Sequence, residues 1–103
     1  MSNKNFMDKV MNDIERMGRH LRIMKIIEKE GPIGIIKLSE KTKLPSHKVR
    51  YSLRVLENSN LVKPSSAGAV ITENARDFIK EMEGKIEEIR NKINELADDI
   101  LPR

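Results

Sequence analysis

The sequence predicts a mainly α-helical protein with one small β-hairpin and a long C-terminal helix. Three observations carry that expectation. Apolar residues recur at three- and four-residue spacing through most of the 103 residues, the period of helices with one buried face. Between Asn60 and Thr72 that period gives way to two short apolar runs on either side of Pro64–Gly68, as in a hairpin. From Ile79 to Ile100 the spacing settles into an unbroken 3-4 alternation, the signature of a coiled-coil seam.

Taken in order, Phe6, Met7, Val10, Met11, Ile14 and Met17 form the apolar stripe of a first amphipathic helix, and Gly18 is expected to interrupt it. Methionine is a flexible side chain that fills irregular gaps, so this stripe reads as packing surface rather than a ligand pocket. A second helix follows from Arg19 to Glu30, with Leu21, Met24 and Ile27 on one face and Ile23 and Ile26 beside it. Gly31-Pro32 closes it, glycine suiting a left-handed cap and proline being unable to continue the ladder. Ile33 to Lys43 reads as a short helix with Ile36 and Leu38 inward.

Leu44-Pro45-Ser46 then makes a sharp turn, with Ser46 as N-cap of a helix running to about Asn58. Val49, Leu53 and Leu56 are its apolar stripe. Asn60 stands where the chain leaves the helix, a place where asparagine tolerates the left-handed conformation. Leu61-Val62-Lys63 and Ala69-Val70-Ile71-Thr72 are the two strands, joined by a five-residue turn over Pro64–Gly68. Thr72 caps the last helix, Glu73 to about Leu101. Its seam comprises Ile79, Met82, Ile86, Ile89, Ile93, Leu96 and Ile100, with isoleucine at every a position. Such a seam pairs with a second copy, and residues 4–17 are expected to cover part of it. Parallel pairing would set Lys85 against Arg90, a clash that antiparallel pairing avoids. The chain thus divides into an N-terminal amphipathic helix (1–18), a central domain (19–78) and a dimerisation helix (79–103).

Composition bounds the function. There is no cysteine, which excludes disulfide scaffolds, zinc–cysteine sites and thiol catalysis. Nothing approaches the roughly 18–20 apolar residues of a membrane span, and no signal-peptide core follows the start, so a soluble, cytoplasmic protein is expected. The net charge of +4 is unevenly spread. Residues 37–72 carry seven basic and two acidic side chains, whereas 73–103 carry six and nine. A basic island of this kind suits a polyanion such as nucleic acid, and on charge alone it equally describes a solvated lysine-rich surface.

The order helix, helix, turn, helix, hairpin, helix, together with Leu38, Leu44, Val49, Leu53 and Leu56 inside the stretch from Gly34 to Val62, resembles the winged helix-turn-helix transcription regulators of prokaryotes. The fused heptad helix is similar to small archaeal-type members that dimerise through a coiled coil. The resemblance implies a homodimer on double-stranded DNA, with the helix after Pro45 in the major groove.

The residues agree with that implication. With Val49, Leu53 and Leu56 inward, the opposite face presents His47, Arg50, Tyr51 and Arg54, with Ser46 and Lys48 at its N-terminal end and no acidic residue before Glu57. An arginine can donate two hydrogen bonds to guanine O6 and N7, and Ser46 with the first-turn amides can hold a phosphate. Lys37, Lys41 and Lys43 would flank the backbone. The wing offers Lys63, Ser65 and Ser66 but no arginine or lysine at its tip, so phosphate contact is expected there rather than minor-groove readout.

An enzyme is not expected. His20 and His47 are the only histidines and lie in separate elements, too few ligands for a metal. No Gly-rich loop follows a strand to cradle a nucleotide, and no cofactor is implied. Two alternatives share the fold: an architectural, chromatin-type protein with little sequence preference, and a winged-helix protein–protein interaction module.

Overall fold

The computed structural model describes residues 4–103, so the first three residues of the expected N-terminal helix lie outside the described residues. In chain order come α1 (Lys4–Glu30), α2 (Ile35–Thr42), α3 (Ser46–Asn58), β1 (Val62–Ser65), β2 (Gly68–Ile71) and α4 (Glu73–Ile100). This is the winged-helix arrangement of helices and hairpin, extended by a long C-terminal helix.

Gly18 does not interrupt α1, which runs unbroken for 27 residues. One glycine costs a helix interior about 1 kcal/mol relative to alanine, too little to end a helix anchored by a buried second half. Gly31 closes α1 by a different device from the one expected. Gly68 is the glycine with positive φ among the described residues, and Gly31 is needed for space: a Cβ there would lie 2.6 Å from the Ile27 carbonyl oxygen.

The short helix α2 begins at Ile35 rather than Ile33. Ile33 is held instead by the hairpin, its amide and carbonyl both bonded to Ala69. Two positions apart on a helix point to nearly opposite faces, so with Leu38 fully buried Ile36 is turned to solvent, at 77% exposure. Lys43 ends α2 with a left-handed backbone (φ 59°), and Thr42 and Ser39 stitch the turn, Thr42 Oγ1 donating to the Leu38 carbonyl and Ser39 Oγ to the Leu44 carbonyl. The N-cap of α3 is Pro45, not Ser46. Proline's fixed φ suits an extended residue before a helix, and Ser46 becomes the first helical residue.

After α3, Asn60 takes the left-handed conformation expected of it (φ 60°). Strand β1 pairs antiparallel with β2 in the register Val62↔Ile71, Lys63↔Val70, Pro64↔Ala69 and Ser65↔Gly68. The turn is therefore Ser66-Ala67 alone, not five residues, because Pro64 can join a two-stranded ladder in which one edge needs no donor. Thr72 caps α4, accepting from the Ala75 amide (3.1 Å) while its own hydroxyl donates to the Asn60 carbonyl (2.8 Å).

The core is made by Ile23, Met24 and Ile27 of α1, Leu38 of α2, and Val49, Leu53 and Leu56 of α3. Ile33, Leu61, Val62 and Ala69 close it from the hairpin side, and Ala75 with Ile79 from α4. Every one of these lies between residues 23 and 79. The first half of α1 and the second half of α4 run beyond the core, giving extents of 54 × 31 × 22 Å. The radius of gyration is 16.3 Å, against about 13 Å for a compact 100-residue domain. Phe6, Met7, Val10, Met11 and Ile14 are exposed on α1, so of the stretch expected to cover part of the α4 seam only Met17, half-buried, lies beside it. No helix among the described residues is long and apolar enough to cross a membrane.

Candidate nucleic-acid interface

Burial fixes how α3 is turned. Val49, Ser52, Leu53 and Leu56 face the core, so His47, Lys48, Arg50, Tyr51 and Arg54 lie on the solvent side, all exposed. Arg50 and Arg54 are one turn apart and project from the same stripe. Among the described residues neither is ion-paired, nor are Lys37, Lys43, Lys48 and Lys63. An open cleft between the start of α2 and the start of α3 brings Lys37, Ser46 and Arg50 together with Gly34, Ile36 and Glu40. Neither helix has a side-chain cap at its N-terminus, so its first-turn amides receive no side-chain acceptor.

The remaining candidates are placed less evenly. Lys41 reaches back to Glu30 at 2.8 Å, so its charge is offset within the chain. Lys43 stays exposed at the left-handed end of α2. On the wing, Lys63 and Ser66 are exposed, but the Ser65 hydroxyl is committed: it donates to the Gly68 carbonyl (2.6 Å) and accepts from the Ala67 amide (3.3 Å). That local closure fixes the turn and takes Ser65 out of the set of free donors.

The heptad positions split along α4. Ile79 is buried in the core of its own chain, a correction to its place in the seam, because α4 packs there against the domain. Met82 and Ile86 are half-buried, and with Met17, Leu21, Phe78 and Ile89 they line a cleft between α1 and α4 of about 200 Å³. Ile89, Ile93, Leu96 and Ile100 are exposed at 41, 50, 50 and 67%. Lys85 and Arg90 are each paired within the helix, to Glu88 and Glu87.

Sequence reasoning missed one constellation. His20 of α1 reaches α3, its Nδ1 hydrogen-bonded at 2.7 Å to Oγ of Ser52, which is fully buried. The same ring lies 5.6 Å from the Tyr51 ring, tilted by 50°. Burial, then the charges of Arg19 and Arg16, hold the His20 pKa below the ordinary histidine value. The signal was present in the spacing: His20 precedes Ile23, Met24 and Ile27 by three, four and seven residues, which puts it on the buried stripe.

Residues 18–63 match the model of the winged helix-turn-helix DNA-binding family. Among solved structures, the chain is similar to the activation domain of the phage T4 transcription factor MotA, at 26% identity and a TM-score of 0.57, over 75% of this chain and 81% of that domain. It is also similar to ZitR of Lactococcus lactis, solved as an apo double-substitution variant. There the TM-score is 0.51 over 97% of this chain and 84% of that one, and at 21% identity the likeness is one of fold. No protein of curated function matches the sequence.

Proposed function

We propose that this chain, whose residues 18–63 form a winged helix-turn-helix DNA-binding domain, is a sequence-specific transcription regulator that works as a homodimer. The observation that carries the reading is the solvent face of α3, where Lys48, Arg50, Tyr51 and Arg54 stand exposed with no carboxylate paired to them among the described residues. A helix of this kind enters the major groove, about 12 Å wide, with Arg50 and Arg54 donating to base edges or to phosphate. Lys37, Ser46 and the uncapped amides of α2 and α3 lie where a backbone phosphate would be held. Lys43 and, on the wing, Lys63 and Ser66 add phosphate contacts, the neutral tip contributing no cation to the minor groove.

Assembly follows from the other end of the molecule. The apolar residues of α4 from Ile93 to Ile100 stand exposed, belonging to no core cluster among the described residues, and their 3-4 spacing is that of a seam between helices. Pairing two chains there sets the distance between two copies of α3, so the bound site has two related halves. The test is selection of bound fragments from sheared genomic DNA at near-physiological salt. Enrichment of a few sites sharing an inverted repeat is expected. Recovery without enrichment would shift the reading to an architectural protein whose arginines grip phosphates.

One observation favours a second reading, a winged helix that binds protein. The similar T4 structure is the activation domain of a transcription factor, and the wing tip here is uncharged. Indifference of the native chain to duplex DNA even at low salt would support that reading over the first.

A further inference from the structure

We infer that His20 is a positioning residue for DNA recognition, holding Tyr51 in place on the outward face of α3. The inference rests on the functional reading above and adds to it a residue that touches no DNA. Tyr51 is 45% exposed, and a half-exposed phenol on a helix has several rotamers open to it. What narrows them is the imidazole on one flank, 5.6 Å away and tilted by 50°, within the range of favourable aromatic pairs.

The imidazole itself is fixed from below. Its Nδ1 is tied to the Ser52 hydroxyl at 2.7 Å, and Ser52 is the fully buried neighbour of Tyr51 on the same helix. A buried hydroxyl without a partner would be costly, so the bond holds the ring orientation as well as satisfying Ser52. The three side chains form a chain of contacts from α1 through the core-facing side of α3 to its DNA-facing side. A tyrosine ordered before binding costs less to immobilise on a phosphate or a base than a free one.

The chain has one tyrosine and no tryptophan, so its intrinsic emission reports on Tyr51 alone. His20→Asn keeps an acceptor and donor near Ser52 and removes the ring. In the native chain Tyr51 emission is expected to carry a pH-dependent component that His20→Asn removes; the two chains are compared directly because His47 stands one turn before Tyr51 on the same face of α3 in both. On a duplex obtained by the fragment selection, His20→Asn and Tyr51→Ala should each weaken binding about five- to tenfold, and the double variant should be no worse than Tyr51→Ala by more than about twofold. Thermal melting confirms that each variant is folded, and Ser52→Ala provides a second, milder release of the ring should His20→Asn fail to fold.

Multiplicative losses in the double variant, or a pH dependence of emission that His20→Asn leaves unchanged, would overturn the assignment. A native chain that binds duplex while the folded His20→Asn variant binds equally well overturns this assignment alone. A native chain that binds no duplex overturns the functional reading, and the assignment with it.

Discussion

Ile33 and Ala69 exchange both of their backbone hydrogen bonds, Ile33 N–H to Ala69 O at 3.1 Å and Ala69 N–H to Ile33 O at 2.8 Å. One residue of the α1–α2 linker thereby forms an isolated bridge to β2 and ties the hairpin to the helical core. The approach is close enough that a Cβ on Gly68 would lie 2.6 Å from the Ile33 backbone, at a residue whose φ of +130° already favours glycine. Gly68→Ala should therefore destabilise the fold by about 1–3 kcal/mol from backbone strain alone, with the clash adding to it. Denaturant melts of the two chains measure this directly; equal midpoints would mean that the wing is not anchored through Ile33.

Arg50 and Arg54 are exposed and, among the described residues, make no ion pair, so neither is expected to be needed for folding. The double substitution to alanine should leave melting within about 0.5 kcal/mol of native and abolish binding to a selected duplex. Retained binding in a gel-shift or anisotropy titration would remove α3 from the groove.

Lys41 and Lys43 are two residues apart in sequence and differ in electrostatic state. The charge of Lys41 is offset by Glu30 at 2.8 Å, whereas Lys43 has no such partner among the described residues. Lys43→Ala is expected to reduce the slope of log affinity against log salt by about 1 per chain. Lys41→Ala should change it less. Affinities measured over a salt series decide the matter, and equal changes in slope would show that the Glu30 pair opens on DNA.

His20 links pH to stability with a definite sign. Burial and then Arg19 and Arg16 lower its pKa in the folded chain below 6.5, so on acidification the unfolded chain takes up the proton first. The stabilisation is complete above 6.5 and is lost as pH falls through the folded-state pKa. Melting temperature should thus fall as pH drops below 6.5, with a shallower decline in His20→Asn. Parallel profiles for the two chains would place the pH dependence on the carboxylates instead.

Ile93 and Leu96 are each half-exposed and make no part of the core, so charging both should not unfold one chain. Ile93→Glu with Leu96→Glu is expected to yield folded monomers in sedimentation equilibrium and to weaken DNA binding at low protein concentration. A dimer surviving both substitutions would put the interface elsewhere.

Much of this was legible because periodicity reports which face is buried. The stripe Val49-Leu53-Leu56 is core in the structure, and its complement on α3 is the candidate interface; of the expected face Leu21-Met24-Ile27, Met24 and Ile27 are core and Leu21 is half-buried, with Ile23 beside them taking the buried place. The left-handed Asn60 and the Thr72 cap were legible for a related reason, since each role suits few side chains. What sequence hid was settled by tertiary contact. Ile33 leaves α2 for a backbone partner 36 positions away. Gly18 and Gly31 look alike as punctuation, but only Gly31 faces another backbone atom closely enough to need the missing side chain. Lys41 and Ser65 looked like free donors, and their commitments to Glu30 and Gly68 depend on distances that no spacing encodes.

The outer halves of α1 and α4 carry a consequence for how assembly can be followed. Residues 5–16 are all exposed, and from Asn91 to the end of α4 only Ala97 is not, so within one chain these turns are held by their own ladders. Helical segments of about 12–15 residues without tertiary support are marginal in water, so their amides should exchange with deuterium long before those of α3. Covering them with a second copy would slow that exchange in proportion to the fraction assembled. Protection at the two ends of the chain, read against the constant protection of Val49 and Leu53, is then an internal gauge of dimer concentration that needs no label and no DNA.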